Sequence, residues 1–147
     1  MPELTDRAQA RQRTTLTQQF GRHSLQDPLF VHNLQRSVAA ALEEDIGDGD
    51  ITASLIPAQQ RAEAVVISRE AAVICGRPWV DAVFAQLDSE VTIEWLVDEG
   101  QRVEPQQPLL RLRGATRSLL SGERCALNFL QTLSGTATVA HHYAALA

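Results

Sequence analysis

A two-faced helical pattern from Thr116 to Leu133 constrains this chain more than any other stretch. Its apolar residues recur at helical spacing and form one face: Leu119, Ala126, Leu127, Leu130 and Leu133. Polar residues recur at steps of four and three and form a second face: Arg117, Ser121, Arg124, Asn128 and Gln131. The pattern predicts an amphipathic helix around which the rest of the chain is organised.

The polar face of this helix has an unusual composition. A face that only meets water is usually built from Glu and Lys, whereas this one carries Ser121, Asn128 and Gln131. The planar guanidinium of Arg124 beside amide side chains suits a carboxylate or a phosphate. A solvated face is the ordinary interpretation of such a stripe, and the residue types here favour a binding face.

Length and charge limit the class of protein. The chain has 147 residues, 44% of them hydrophobic, which is enough for one globular core. A net charge of −5 argues against a nucleic-acid partner, because such proteins present a basic face. No apolar run reaches the length of a membrane span, so no membrane association is expected, and residues 1–26 lack the apolar centre of a signal peptide. Cys75 and Cys125 have neither metal-ligand spacing nor a disulfide pattern, so a reducing, cytoplasmic location is expected.

All 13 basic residues are arginine. Without lysine the chain can carry no Schiff base, no phosphate-loop lysine and no biotinyl or lipoyl group. This excludes a carrier function for the corner from Val97 to Leu109, whose Gly-x-x-Val turn and following strand resemble the hammerhead corner of biotinyl and lipoyl carriers. A fold element can be shared without the function.

The N-terminal third predicts an arm followed by a helix. Residues 1–26 are polar and weakly patterned, and we expect a mobile arm there. Asp27, followed by proline, fits a helix cap, and apolar residues at steps of four predict a helix from Leu29 to Glu44. The acidic loop 45–50 lacks EF-hand spacing, so its carboxylates are interpreted as caps for a short turn, Thr52 to Leu55.

The middle of the chain predicts an α+β fold. Helical spacing predicts a second helix, Arg77 to Leu87, and alternating residues predict a small, mostly antiparallel sheet packed on both helices. The strands of this sheet are expected within Arg61 to Cys75, Glu90 to Val97 and Val103 to Gly114.

After the sheet, the helical pattern begins at Thr116, pauses at Ser134-Gly135 and resumes to the last residue. We therefore divide the chain into an arm (1–26), an α+β domain (27–115) and a helical segment (116–147).

Several motifs of this chain resemble, in order, those of the quinolinate phosphoribosyltransferases, the nicotinate-nucleotide pyrophosphorylases of NAD synthesis. The helix motif Gly-Glu-Arg-x-Ala-Leu-Asn, with Ser-Gly further on, spans Gly122 to Gly135. The other matching motifs are Glu44 to Thr52, Ser68 to Glu70, Cys75 to Val80 and Trp95 to Gly100. The resemblance covers roughly Pro28 to Ala147, and it implies that the last helix leads into an α/β barrel that this chain does not hold.

The resemblance implies a reaction and a role for one arginine. In this family quinolinate and phosphoribosyl pyrophosphate give nicotinate mononucleotide, pyrophosphate and CO2, with Mg2+ bound in the barrel. Arg124 is implied to reach across a homodimer (or higher homo-oligomer) interface to the quinolinate of the neighbouring subunit. No catalytic or metal-binding residue is assigned to this chain, and we predict that the 147 residues alone are inactive.

Each of these assignments has an alternative. Arg124 alternatively forms an ion pair with Glu123 or Glu94 within its own chain. Asn128, one turn on, is a weaker substrate-contact candidate, a residue that holds the arginine fork, or one that makes a plain helix-packing hydrogen bond. Arg117 is a weaker candidate still. For the protein as a whole, the alternatives are a non-catalytic dimerisation or interaction module and a molybdenum-transport-associated relative of the same fold with a different substrate.

Two further groups carry side chains of the kind found in metal or catalytic sites. His141 and His142 are adjacent, so on a helix they point about 100° apart and cannot chelate one ion together. Cys125 lies beside Arg124, but no acid–base partner accompanies it. Neither group predicts a catalytic or metal site.

Overall fold

A computed structural model describes residues 25–47 and 51–146 of the chain. The chain divides into two compact units, Met1–Leu34 and Gln35–Ala147, and the site described below lies in the second. The predictions for residues 1–24 and 48–50, which include most of the arm and the end of the acidic loop, fall outside the described residues.

The first described helix, α1, spans Pro28–Ile46. Asp27 begins it as predicted, because its Oδ1 accepts a hydrogen bond from the Leu29 amide at 2.9 Å. Of its apolar stripe, Leu34, Val38 and Leu42 are buried. The helix extends two residues beyond the predicted end and is followed by Gly47 in the left-handed region, at φ 57°.

A three-stranded antiparallel sheet forms the centre of the second unit. Its strands are β1 (Arg61–Ile67), β3 (Thr92–Trp95) and β5 (Pro108–Ala115), in the order β1-β5-β3. The predicted alternation of β5 is confirmed, because Leu110 and Leu112 are buried while Arg111 and Arg113 are exposed. Arg113 and Arg111 form ion pairs on the outer face with Glu63 of β1 and Glu94 of β3.

Two short strands form a separate sheet. β2 (Ala72–Val73) pairs antiparallel with β4 (Arg102–Val103). The prediction placed both in the same sheet as the longer strands, which is wrong in this detail, because a pair of two-residue strands leaves no alternation to read. The corner between β3 and β4 continues the pairing, since the Gly100 amide donates to the Ile74 carbonyl and the Ile74 amide to that of Gln101.

Three helices complete the fold. The short helix α2 (Ile51–Ser54) takes the place of the predicted turn at Thr52 to Leu55, and α3 spans Arg77–Leu87. The long helix α4 spans Thr116–Leu146 without interruption, so the predicted pause at Ser134-Gly135 is wrong. The α+β architecture with a small antiparallel sheet and a long C-terminal helix is as predicted.

The core of the second unit lies between the larger sheet, α3 and the first half of α4. Val80 and Phe84 of α3 meet Leu110 and Leu112 of β5 and Ala126, Leu127 and Leu130 of α4 around a small apolar gap. Helix α4 is therefore a central core element rather than one that only leaves the domain. Its last turns are exposed, as Val139, Tyr143 and Leu146 show.

Candidate functional site

Arg124 projects from the outer face of α4. Its side chain is 87% exposed, and its Nε lies 3.6 Å from Oδ1 of Asp45, near the C-terminal end of α1. The ion pairs considered from the sequence, with Glu123 or Glu94, are both wrong, because Glu94 pairs with Arg111 and the partner of Arg124 is Asp45. Asp45 belongs to the motif that begins at Glu44, so the sequence did mark this residue. Residue spacing alone does not predict that α1 and α4 bring Asp45 and Arg124 together.

Asn128 lies one turn along α4 from Arg124 and is also exposed. Within the described ranges its side-chain amide has no hydrogen-bond partner, so it does not hold the arginine fork as one interpretation proposed. It remains on the same face as Arg124, available to a ligand that covers this part of the helix.

Arg117, at the start of α4, has a different environment. Its Nε donates to the carbonyl of Ile56, and its Nη2 lies 3.4 Å from the carbonyl of Ser54, the last residue of α2. A cation at carbonyls near the C-terminus of a helix satisfies orphan acceptors. Arg117 thus ties α2 to α4, and the predicted polar face divides into an anchored beginning and an exposed continuation.

The inner face of α4 carries polar side chains that form hydrogen bonds with the backbone of β2 and of the residues that follow it. Ser134, only 7% exposed, accepts a hydrogen bond from the Cys75 amide and donates one to the Cys75 carbonyl. One turn on, Thr138 accepts from the Val73 amide at 2.9 Å. The helix side chains therefore satisfy main-chain groups that a neighbouring strand would otherwise pair.

Gly122 lies where α4 crosses α3. A Cβ added at this position would lie 2.6 Å from Cε1 of Phe84 and 3.0 Å from Cδ2 of Leu87. The two helices approach closely because this residue has no side chain. Gly76, at φ 121° before α3, is packed less tightly: a Cβ there would lie 3.3 Å from Cδ1 of Leu133 of α4.

The half-buried carboxylate of Glu99 caps the N-terminus of α3. Glu99 accepts hydrogen bonds from the Gly76 amide at 3.0 Å and the Arg77 amide at 3.4 Å. Burial raises the pKa of Glu99, and the hydrogen bonds from Gly76 and Arg77 partly oppose that shift. Arg77 in turn stacks on Trp95, with its Cζ 5.1 Å from the ring centroid.

An open cleft of about 750 Å³ lies between β1, the segment that follows it and α4. Ser68, Arg69 and Glu70 line one side, and Glu123, Gln131 and Thr138 line the other. Arg124 is not among its lining residues. Gln131, which shares the polar face of α4 with Arg124, does line it, so the cleft borders that face without reaching the arginine.

The remaining titratable groups show no catalytic arrangement within the described ranges. Cys125 is buried, and burial, followed by the negative charge of Asp45, raises its pKa, which opposes thiolate formation. His141 and His142 are exposed near the end of α4. Across residues 25–47 and 51–146, no group of three or more His, Cys, Asp or Glu side chains is placed to hold a metal ion. No helix in those ranges has the length and apolar character needed to cross a bilayer.

Sequence reasoning missed the structural half of the helix motif. Gly122, Ser134 and Glu99 all belong to motifs identified in the sequence, but none of them was assigned a role. Gly122 is a glycine within a helical pattern, which indicates a close packing partner. Ser134 is a serine on the apolar side of that pattern, which indicates a polar one. The identity of that partner depends on tertiary contacts.

Residues 50–134 match a family model described as the N-terminal domain of quinolinate phosphoribosyl transferase. The chain is 36% identical over 110 residues to the chloroplastic nicotinate-nucleotide pyrophosphorylase of Oryza sativa subsp. japonica, a match that covers 74% of this chain and 30% of the rice protein. It is 41% identical over 88 residues to the nicotinate-nucleotide pyrophosphorylase of Rattus norvegicus, covering 60% of this chain and 29% of that protein.

The fold is also similar to a solved structure. The nicotinate-nucleotide pyrophosphorylase from Francisella tularensis superposes with a TM-score of 0.72 and 41% identity, over 74% of this chain and 39% of that one. The chain spans about a third of the length of the curated relatives it matches. The matched segment contains Arg124, Asn128 and Ser134.

Proposed function

Because the chain belongs to the quinolinate phosphoribosyltransferase family, through its N-terminal domain, we propose that it is the dimer-forming and substrate-closing part of such an enzyme. The reaction joins quinolinate and phosphoribosyl pyrophosphate and yields nicotinate mononucleotide, pyrophosphate and CO2. The domain supplies a binding surface to the active site of a neighbouring subunit in a homodimer or higher homo-oligomer.

The observation that carries this proposal is the exposure of Arg124 within the matched helix. A charged side chain that is 87% exposed, on a helix whose other face is core, is available to a second molecule. Quinolinate has two carboxylates, and the guanidinium fork matches a carboxylate with two parallel hydrogen bonds. Arg124 therefore neutralises and orients quinolinate, and transfers no proton.

Asn128 and Arg117 take lesser parts in this scheme. Asn128 is exposed on the same face, one turn from Arg124, and provides an amide that can donate to the same ligand. Arg117 already donates to the carbonyls near the end of α2, so its contribution is to fix the helix rather than to contact quinolinate. We rank Arg124 ahead of Asn128 as a substrate contact and give Arg117 a structural part only.

Magnesium belongs, by the family resemblance, to a barrel outside this chain. Among residues 25–47 and 51–146, no group of three or more His, Cys, Asp or Glu side chains is placed to hold a metal ion. No step of the proposal passes through the metal. A reducing compartment such as the cytoplasm fits the two free thiols, Cys75 and Cys125.

The experiment compares two forms of the protein. The native-length protein, isolated from its source, and the 147-residue chain are each incubated with quinolinate, phosphoribosyl pyrophosphate and Mg2+, and nicotinate mononucleotide is measured. We expect an intact native mass well above 16.1 kDa, product from the native-length protein and none from the 147-residue chain. A native mass of 16.1 kDa with no product would instead support a non-catalytic interaction module.

A further inference from the structure

Asp45 and Arg124 connect two helices that are distant in sequence. Asp45 lies one residue before the end of α1, and its side chain is 25% exposed against 87% for Arg124. Asp45 is thus the more enclosed member of the pair, and Arg124 is the more exposed one. Their contact joins Oδ1 of Asp45 to Nε of Arg124 at 3.6 Å.

The position of this contact on the guanidinium matters. A guanidinium presents donors along two edges, one through Nε and one through the two terminal nitrogens. Asp45 lies at the Nε side, and no described residue forms an ion pair or hydrogen bond with the terminal nitrogens of Arg124. The edge formed by the terminal nitrogens, which can bind a carboxylate with two parallel bonds, is therefore not occupied by a described residue.

The location of Asp45 is unfavourable for its own helix. Glu43, Glu44 and Asp45 all lie in the last turn of α1, which has no basic residue. The carbonyls at a helix C-terminus carry partial negative charge and disfavour carboxylates. Of these three acids, Asp45 alone pairs with an arginine among the described residues. At this position Asp45 interacts unfavourably with the C-terminal end of α1 and favourably with Arg124.

A second observation agrees with this placement. The Asp45 charge contributes to the raised pKa of Cys125, the residue that follows Arg124 on α4. The carboxylate therefore lies over this turn of α4. It is held above the segment from which Arg124 projects.

We propose that Asp45 is a positioning residue, which holds Arg124 by Nε so that the terminal nitrogens point toward a dicarboxylate substrate. This inference rests on the proposed function of Arg124. Asp45 touches no substrate. It restricts Arg124 to fewer rotamers before quinolinate binds, so that less side-chain entropy is lost on binding.

The test uses Asp45→Asn in the native-length protein, with Glu44→Gln as the matched control, because both remove one carboxylate from the same helix turn. Asp45→Asn is expected to raise the KM for quinolinate by up to about tenfold. The kcat, the KM for phosphoribosyl pyrophosphate and the melting temperature should stay near those of the control. In an Arg124→Ala background, Asp45→Asn should have no further effect on the KM.

Two results would overturn the inference. One is an Asp45→Asn variant with the same KM for quinolinate as Glu44→Gln; the other is an effect of Asp45→Asn that persists unchanged in the Arg124→Ala background. If Arg124→Ala impairs the enzyme and either result is found, the proposed function stands and the positioning role fails. If Arg124→Ala itself has no effect, the proposed function has failed as well.

A structural measurement separates the contact from the kinetics. The Nε–H signal of Arg124 in a 15N-labelled 147-residue chain should shift in Asp45→Asn and stay in place in Glu44→Gln. An unshifted signal in Asp45→Asn would show that the ion pair is absent, which removes the basis of the inference whatever the enzyme does.

Discussion

Ser134 holds both main-chain polar groups of Cys75: its Oγ accepts from the Cys75 amide at 3.0 Å and donates to the Cys75 carbonyl at 3.1 Å. The same helix motif also contains Arg124, which faces away from the protein. One face of α4 therefore fixes the helix against β2, and the other presents a charge outward. A precise helix position is what the proposed role of Arg124 requires.

Replacing Ser134 by alanine should destabilise the chain. The substitution leaves the amide and carbonyl of Cys75 without partners, and each buried unsatisfied group costs about 1–3 kcal/mol. Chemical denaturation of the 147-residue chain measures the loss. Thr136→Ala is the control, since the Thr136 hydroxyl bonds only within its own exposed helix turn. Equal stability of the two variants would contradict the proposed role of Ser134.

Two glycines of α4 should respond in opposite directions to alanine. In Gly122→Ala the new methyl group would overlap Phe84, and overpacking costs about 1–3 kcal/mol, which exceeds the better helix propensity of alanine. At Gly135 nothing lies within 4 Å, so Gly135→Ala should gain about 0.5–1 kcal/mol. Thermal unfolding of both variants tests this, and a stabilised Gly122→Ala would refute the close helix crossing.

The elements with a clear period were predictable from the sequence. The steps of four in α1 and the alternation of Leu110 and Leu112 with Arg111 and Arg113 each reflect one buried and one exposed face. Burial against a single surface imposes such a period directly on the sequence. The same logic correctly placed Leu119, Ala126 and Leu130 on the inner face of α4.

The rest depends on contacts between distant segments. A Ser-Gly pair usually weakens a helix, yet α4 continues through Ser134 because its hydroxyl is bound by Cys75, 59 residues away. The predicted partners of Arg124 within its own chain were Glu123 and Glu94, and the residue that contacts it, Asp45, comes from α1. No local pattern encodes either pairing, because each depends on how two elements pack.

Glu99 should make stability depend on pH. Because burial raises its pKa in the folded state, the folded protein binds this proton more tightly than the unfolded chain does. The contribution of Glu99 is therefore full below its unfolded pKa, about 4.5, and is lost as the pH rises through the folded value. The free energy of unfolding of the wild type, minus that of Glu99→Gln, should fall with rising pH over this range. A difference that rises with pH would contradict the direction of the shift.

The thiol of Cys125 should report on Asp45. Burial is the main cause of its raised pKa, and the Asp45 carboxylate adds to it. In a Cys75→Ser background, Asp45→Asn should therefore lower the pKa of Cys125. The ultraviolet absorbance of the thiolate measures this titration. Glu44→Gln should leave the titration in place. An unchanged titration in Asp45→Asn would place the carboxylate away from α4.

The central claim is that Arg124 contacts quinolinate, and kcat/KM for quinolinate in the native-length protein tests it most directly. Arg124→Ala should lower this value by about 100-fold, as for loss of a charged group that orients a reacting substrate. Arg124→Lys should be intermediate, because it keeps the charge and loses the fork. Arg111→Ala, an exposed arginine in an ion pair on the sheet, is the control and should remain near the wild type. An Arg124→Ala enzyme as active as Arg111→Ala would contradict the account.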